Sequence, residues 1–168
     1  MKSLLLIHVI LVSIMSGCPE ADPEHFDDMA NGMYSYTVPL MQSTQLSYEL
    51  ERNTDIIILD ARENDEYEVS HIENALVVGY ENVDLQALDT VAKDTKVVVY
   101  CSVGYRSERV GEQLQERGFT NVHNLYGGIF DWINNEYPVY SNDTVTTDTV
   151  HGYNKNWGQW CFKGVKVY

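Results

Sequence analysis

Short apolar runs alternate with amphipathic stretches through the middle of the chain. Ser43 to Arg52 carries a weak helical pattern and opens on a serine suited to capping. Ile56 to Leu59 is a β-branched run of the kind buried on both faces of a parallel sheet. A short acidic helix is expected from Glu63 to Val69, a second strand over Ala75 to Val78 and a short helix over Val83 to Leu88. Lys96 to Tyr100 reads as the third strand. Tyr105 to Arg117 is the strongest helix, with Val110 and Leu114 four apart and Gly118 placed to end it. Asn121 to Leu125 is a fourth strand, and Gly128 to Asn134 opens the last helix of this region. Strands alternating with helices imply an α/β domain with a mainly parallel central sheet flanked by helices.

The two ends follow different patterns. Lys2 precedes an apolar run from Leu4 to Met15 that is too short to span a bilayer, and Ser16, Gly17 and Cys18 follow it. Residues 1–17 therefore read as an export signal peptide. Met15-Ser16-Gly17-Cys18 resembles the lipobox of bacterial lipoproteins, which implies lipidation of Cys18 and a location in the periplasm or outer membrane. Residues 18–42 are polar and acidic, with Pro19, Pro23 and Gly32 among them, and read as a spacer. Residues 43–140 form the expected domain. Residues 141–168 form a tail, with a Thr/Asp-rich loop over Ser141 to Asp148 and then Trp157, Trp160 and Phe162, aromatics expected to pack back on the domain.

Charge narrows the function. With 168 residues and a formal net charge of −14, the chain is unsuited to nucleic acid or to an anionic membrane face. Contact with a membrane is expected only through the lipid anchor. An anionic substrate would have to be drawn in by a local pocket.

The candidate chemistry lies at Cys101-Ser102-Val103-Gly104-Tyr105-Arg106-Ser107. A buried strand delivers a cysteine to its C-terminal end, a short loop with one glycine follows, and a helix begins. Open α/β sheets place active sites at strand C-termini. Loop N–H groups and the positive end of the following helix form an anion cradle, and with Arg106 they are expected to favour the thiolate, the nucleophilic form. Gly104 would permit the backbone conformation that this cradle needs.

The loop is similar to the Cys-x-x-Gly-x-Arg-Ser/Thr active-site loop of single-domain rhodaneses. Three further segments resemble that family in order: Asp60-Ala61-Arg62 with Glu66-Tyr67; His71-Ile72-Glu73-Asn74-Ala75; and Tyr126-Gly127-Gly128 with Trp132 and Pro138-Val139. Ser70 departs from the glycine common before the His-Ile pair. The four residues between Cys101 and Arg106 resemble the sulfurtransferase form of the loop, since related phosphatases have one more. The resemblance implies a rhodanese-like fold and a sulfurtransferase that carries sulfane sulfur as a Cys101 persulfide, from a small anionic donor such as thiosulfate to a thiol or cyanide acceptor. It implies substrate binding by Ser102, Val103, Gly104, Tyr105, Arg106 and Ser107, with Arg106 on the donor's anionic end. Arg62 is a further candidate at the pocket rim, and an internal ion pair with Asp60 is its plainer role. No cofactor and no metal are implied, and a monomer is expected. The alternative is a module that carries persulfide or binds a protein without turnover.

Plainer roles are expected elsewhere. His71 bonds a backbone group, Gly127-Gly128 makes a tight turn, Trp132 is core, and Arg109 and the acids of Glu63 to Glu68 are solvated. For Cys161 two readings stay open: a packing residue, or a thiol that pairs with Cys101.

Overall fold

The computed structural model describes residues 21–52, 55–142 and 144–168. The export signal and the lipidation of Cys18 lie outside these residues.

The elements run α1 (Phe26–Asn31), β1 (Leu40–Met41), α2 (Ser43–Glu51), β2 (Ile56–Asp60), α3 (Asn64–Val69), β3 (Leu76–Val77), β4 (Lys96–Tyr100), α4 (Tyr105–Glu116), β5 (Val122–Leu125) and α5 (Gly128–Asn134). They continue with β6 (Val139–Asn142), β7 (Val145–Thr147), β8 (Thr149–His151), α6 (Lys155–Gly158) and β9 (Val165–Val167). The central sheet has five parallel strands in the order β1-β5-β4-β2-β3. This is the α/β architecture the alternation of patterns implies.

Alternate residues of β4 point to opposite faces and enter two separate cores. Val97 and Val99 pack with Val110 and Leu114 of α4 and with Leu85 and Leu88. Val98 and Tyr100 pack with Phe26, Leu46, Ile129 and Phe130 of the opposite layer. Because β4 is covered on both faces, its residues from Val97 to Tyr100 form an uninterrupted apolar run. The loop that follows it is held between the two layers.

Three departures from the sequence reading have physical causes. The described part of the expected spacer is folded: α1 and β1 lie here, and Phe26, Ala30, Tyr34, Val38 and Met41 are buried. These apolar positions recur every three or four residues among the acids, so the charge conceals a stretch that docks. The expected loop over Ser141 to Asp148 contains most of the β6–β7 hairpin, because its Val and Thr residues fit a pleated edge despite the polar composition. The helix expected over Val83 to Leu88 is a single 3-10 turn at Gln86–Leu88.

The tail does pack on the domain. β8 pairs in parallel with β9, and Val150 and Cys161 are buried in the larger core. Asn134, at the end of α5, clamps the tail: its side-chain N–H donates to the Trp160 carbonyl at 3.0 Å, and its Oδ1 accepts from the Phe162 amide at 2.7 Å. Phe162 in turn meets Phe26 edge-on, with ring centroids 6.2 Å apart, so the two flanking segments touch.

Candidate active site

Cys101 stands at the C-terminal end of β4 with its side chain buried. The Gly104 amide donates to its Sγ at 3.1 Å, and the Ser107 hydroxyl lies 3.5 Å from the same sulfur. Gly104 is the N-cap of α4 at φ +105°, a left-handed conformation that glycine adopts without a Cβ clash. A Cβ there would also fall 2.4 Å from the Tyr34 ring. Since Gly104 has no capping side chain, the positive end of α4 is left directed at the loop.

The loop is pinned from three sides. From α5, the Ile129 amide donates to the Cys101 carbonyl at 2.8 Å and the Phe130 amide to the Ser102 carbonyl at 3.1 Å. That approach requires Gly128, because a Cβ at this position would sit 2.2 Å from the Cys101 carbonyl oxygen. From the N-terminal segment, the Tyr34 hydroxyl donates to the Val103 carbonyl at 2.9 Å and accepts from the Gly127 amide at 2.8 Å. Burial pushes the Tyr34 phenol far above its ordinary value, so the hydroxyl stays protonated and keeps donating. From β5, buried Asn124 donates to the Gly104 carbonyl at 2.9 Å and accepts from the Ser107 hydroxyl at 2.7 Å. Asn124 thus fixes both residues that contact the sulfur.

Arg106 lies in the cavity wall with its terminal nitrogens already engaged. They bond both oxygens of Glu66 at 2.7 Å, and one also reaches the Ser102 hydroxyl at 3.1 Å. Glu66 is 2% exposed, so it is a buried partner and not part of a solvated helix face. Burial pushes its carboxyl up, but the Arg106 contacts and the nearby Arg62 charge outweigh that and hold it below the usual range. Burial likewise works against the Arg106 charge, and the Glu66 carboxylate and the Cys101 sulfur overcome it. The sequence reading puts Arg106 on the donor's anionic end; here both of its terminal nitrogens are bonded to Glu66.

Arg62 is not at the pocket. It is fully buried, bonded through Nε and Nη2 to Asp60 at 2.6–3.1 Å and through Nη2 to the Ser70 carbonyl at 2.6 Å. Its place is the internal ion pair, because β2 ends facing the interior and leaves a guanidinium there no route to solvent. His71 bonds the Tyr67 carbonyl through Nδ1 at 3.0 Å and stacks on the Tyr67 ring. Arg109 pairs with Glu112 on the surface of α4. Cys101 and Cys161 are both free thiols. Cys161 donates to the Lys163 carbonyl at 3.2 Å, and burial pushes its thiol up to about 11, which suits a packing residue.

The cavity above Cys101 has a volume of about 440 Å³. Ser102, Val103, Tyr105 and Arg106 of the loop line it. Gly104 and Ser107 contribute through the sulfur contacts instead. Asn124, Tyr34 and Glu66 carry roles that motif reading does not assign. Glu66 stands in the Glu66-Tyr67 segment that resembles the family, but that motif carries no role for it, and Asn124 and Tyr34 lie in no motif.

A parallel sheet that presents a cysteine loop between a strand and a helix, braced by a second helix N-terminus, defines the class. A model of the rhodanese-like domain matches residues 43–135, more than half of the chain, and the chain belongs to that family. Among its relatives is the thiosulfate sulfurtransferase GlpE of Coxiella burnetii, 37% identical over 86 residues, which cover 51% of this chain and 79% of the relative. A tRNA uridine(34) hydroxylase of Photorhabdus laumondii is 34% identical over 117 residues, covering 66% of this chain and 31% of the relative. Of solved structures, a rhodanese-related protein from Thermoplasma volcanium matches with a TM-score of 0.54 at 26% identity, over 62% of this chain and 99% of that one. The thiosulfate sulfurtransferase of Pseudomonas aeruginosa has the same fold, with a TM-score of 0.59 at 21% identity, over 73% of this chain and 24% of that one.

Proposed function

We propose that this protein is a sulfurtransferase that moves sulfane sulfur through a persulfide on Cys101, and that residues 1–17 direct it out of the cytoplasm. The observation that carries the reading is the placement of the Cys101 sulfur at the strand end, under the Gly104 N–H and at the floor of an open cavity. A nucleophilic sulfur held by fixed donors suits a reaction in which negative charge stays on sulfur throughout.

In the first step the Cys101 thiolate attacks the outer sulfur of a donor such as thiosulfate. The donor's S–S bond breaks, sulfite leaves with the electron pair, and Cys101–S–S⁻ remains. In the second, an acceptor thiolate or cyanide attacks the outer sulfur and Cys101 departs as the thiolate. The Gly104 amide donates to the Cys101 sulfur, and the N-terminus of α4, whose positive end favours negative charge, opens on the same loop. Arg106 and Glu66 together form a neutral, rigid wall that holds Ser102 in position.

Sulfur transfer to cyanide, followed as thiocyanate with thiosulfate or an organic persulfide as donor, tests this. Wild-type and Cys161→Ala proteins are expected to turn over and Cys101→Ser to show no activity above background. Turnover that survives in Cys101→Ser would overturn the proposal.

A further inference from the structure

The Cys101 cavity falls in the size range of sites that enclose organic ligands. Its wall extends beyond the family-matched core: Met33 comes from the N-terminal segment, and Tyr153 and Trp157 come from the C-terminal tail. Tyr80 and Tyr105 add two more aromatic faces. Tyr153 is 51% exposed and lies over the Arg106 guanidinium, 5.1 Å from ring centroid to carbon, which further shields the charge a small anion would seek.

The charge of the lining points the same way. Among the described residues that line the cavity, Arg106 is the one cation, and its nitrogens are bonded to Glu66 and Ser102. Glu63 and Glu81 add two acidic residues to the lining, and no second cation of the described lining balances them. Glu63 is held there by the Tyr80 and Glu81 amides, each 3.0 Å from its Oε1. A small oxyanion meets an acidic lining, aromatic faces and a neutralised arginine. An apolar body with a neutral or positive charge meets complementary surface.

We infer that the Cys101 cavity, its apolar wall completed by the flanking segments and its acidic lining supplied by the core, is selective for small organic thiols and persulfides with an apolar, neutral or cationic body, over small oxyanions. This rests on the sulfur-transfer reading of Cys101. As acceptor, the organic thiolate attacks the outer sulfur of Cys101–S–S⁻, the S–S bond to Cys101 breaks, and R–S–S⁻ leaves as Cys101 regains its thiolate. As donor, R–S–S⁻ runs the same exchange in reverse.

The test is single-turnover discharge of protein loaded with persulfide and freed of excess donor. Two primary alkyl thiols of similar intrinsic reactivity, 2-phenylethanethiol and 3-mercaptopropionate, are compared on the full chain. The wild type is expected to favour the phenyl thiol by about twentyfold, the scale on which apolar pockets discriminate. The double variant Tyr153→Ala, Trp157→Ala is expected to bring that ratio within about threefold, and Tyr153→Phe to keep it. Glu81→Lys, a change at an exposed position that keeps the fold, is expected to narrow the ratio about threefold by admitting the anion. Equal rates for the two thiols in the wild type, or a ratio that neither the double variant nor Glu81→Lys moves, would overturn the inference. Protein that never loads sulfur on Cys101 would instead defeat the sulfur-transfer reading itself.

Discussion

At Cys101 the Gly104 amide donates to the sulfur and the Ser107 hydroxyl oxygen lies beside it, and both residues are positioned by Asn124. Asn124 bonds the Gly104 carbonyl and the Ser107 hydroxyl together, so a change there moves both contacts. Asn124→Ala is expected to slow persulfide formation about tenfold or more, as misplaced donors do, while Cys101 itself is intact; stopped-flow loading kinetics would measure it. The Asp60–Arg62 pair is structural. Asp60→Ala leaves a buried guanidinium without its carboxylate, and denaturant unfolding should show a loss of about 3–5 kcal/mol. Glu66 supplies a pH dependence with a definite sign. Its folded carboxyl is held below the usual range, so the stability it contributes is present above the ordinary carboxylate pKa and is lost as pH falls through the lower folded value. Thermal melts of wild type should therefore fall on acidification from about pH 6 to about pH 3 more steeply than those of Glu66→Gln.

At the scale of elements, α4 does two jobs. Its N-terminus faces the Cys101 loop, and its buried Glu108 holds the N-terminal segment. The Glu108 carboxylate accepts from the Ser35 amide at 2.8 Å and from the Thr37 amide at 2.9 Å. Glu108→Ala strands both amides and is expected to cost about 2–4 kcal/mol in chemical denaturation. It should also loosen the segment that carries Tyr34, seen as faster amide exchange there. Four of the five strands of the sheet and the cysteine loop were legible in the chain, because short β-branched runs alternate with helical periods as in a parallel sheet covered on both faces. Residues 21–42 were not, since acids between Phe26, Ala30, Tyr34 and Val38 lower the apparent apolarity without interrupting the buried stripe. The hairpin after Pro138 was also concealed, because Thr-rich strands and loops have the same composition. Motif reading located Cys101 and Arg106. It could not show that Glu66 takes the Arg106 fork, or that Arg62 stays inside, because both facts depend on how α3 and β2 sit against the loop.

The whole molecule is a family-matched core closed by two flanks that touch each other. Phe26 and Phe162 meet at that closure, and Asn134 clamps the tail to α5. Asn134→Ala removes both bonds and should lower stability by about 1–3 kcal/mol, with proteolysis entering the tail before the core. The tail is thus part of the folded unit and carries Tyr153 and Trp157 to the cavity. The central claim is that sulfur passes through Cys101, and its most direct test is the intact and peptide mass of reduced protein after exposure to donor labelled in its outer sulfur. One labelled sulfur atom on the Cys101 peptide, absent from the Cys161 peptide and removed by cyanide, is the result expected. Unlabelled protein after both thiosulfate and an organic persulfide, or label on Cys161 alone, would contradict the account.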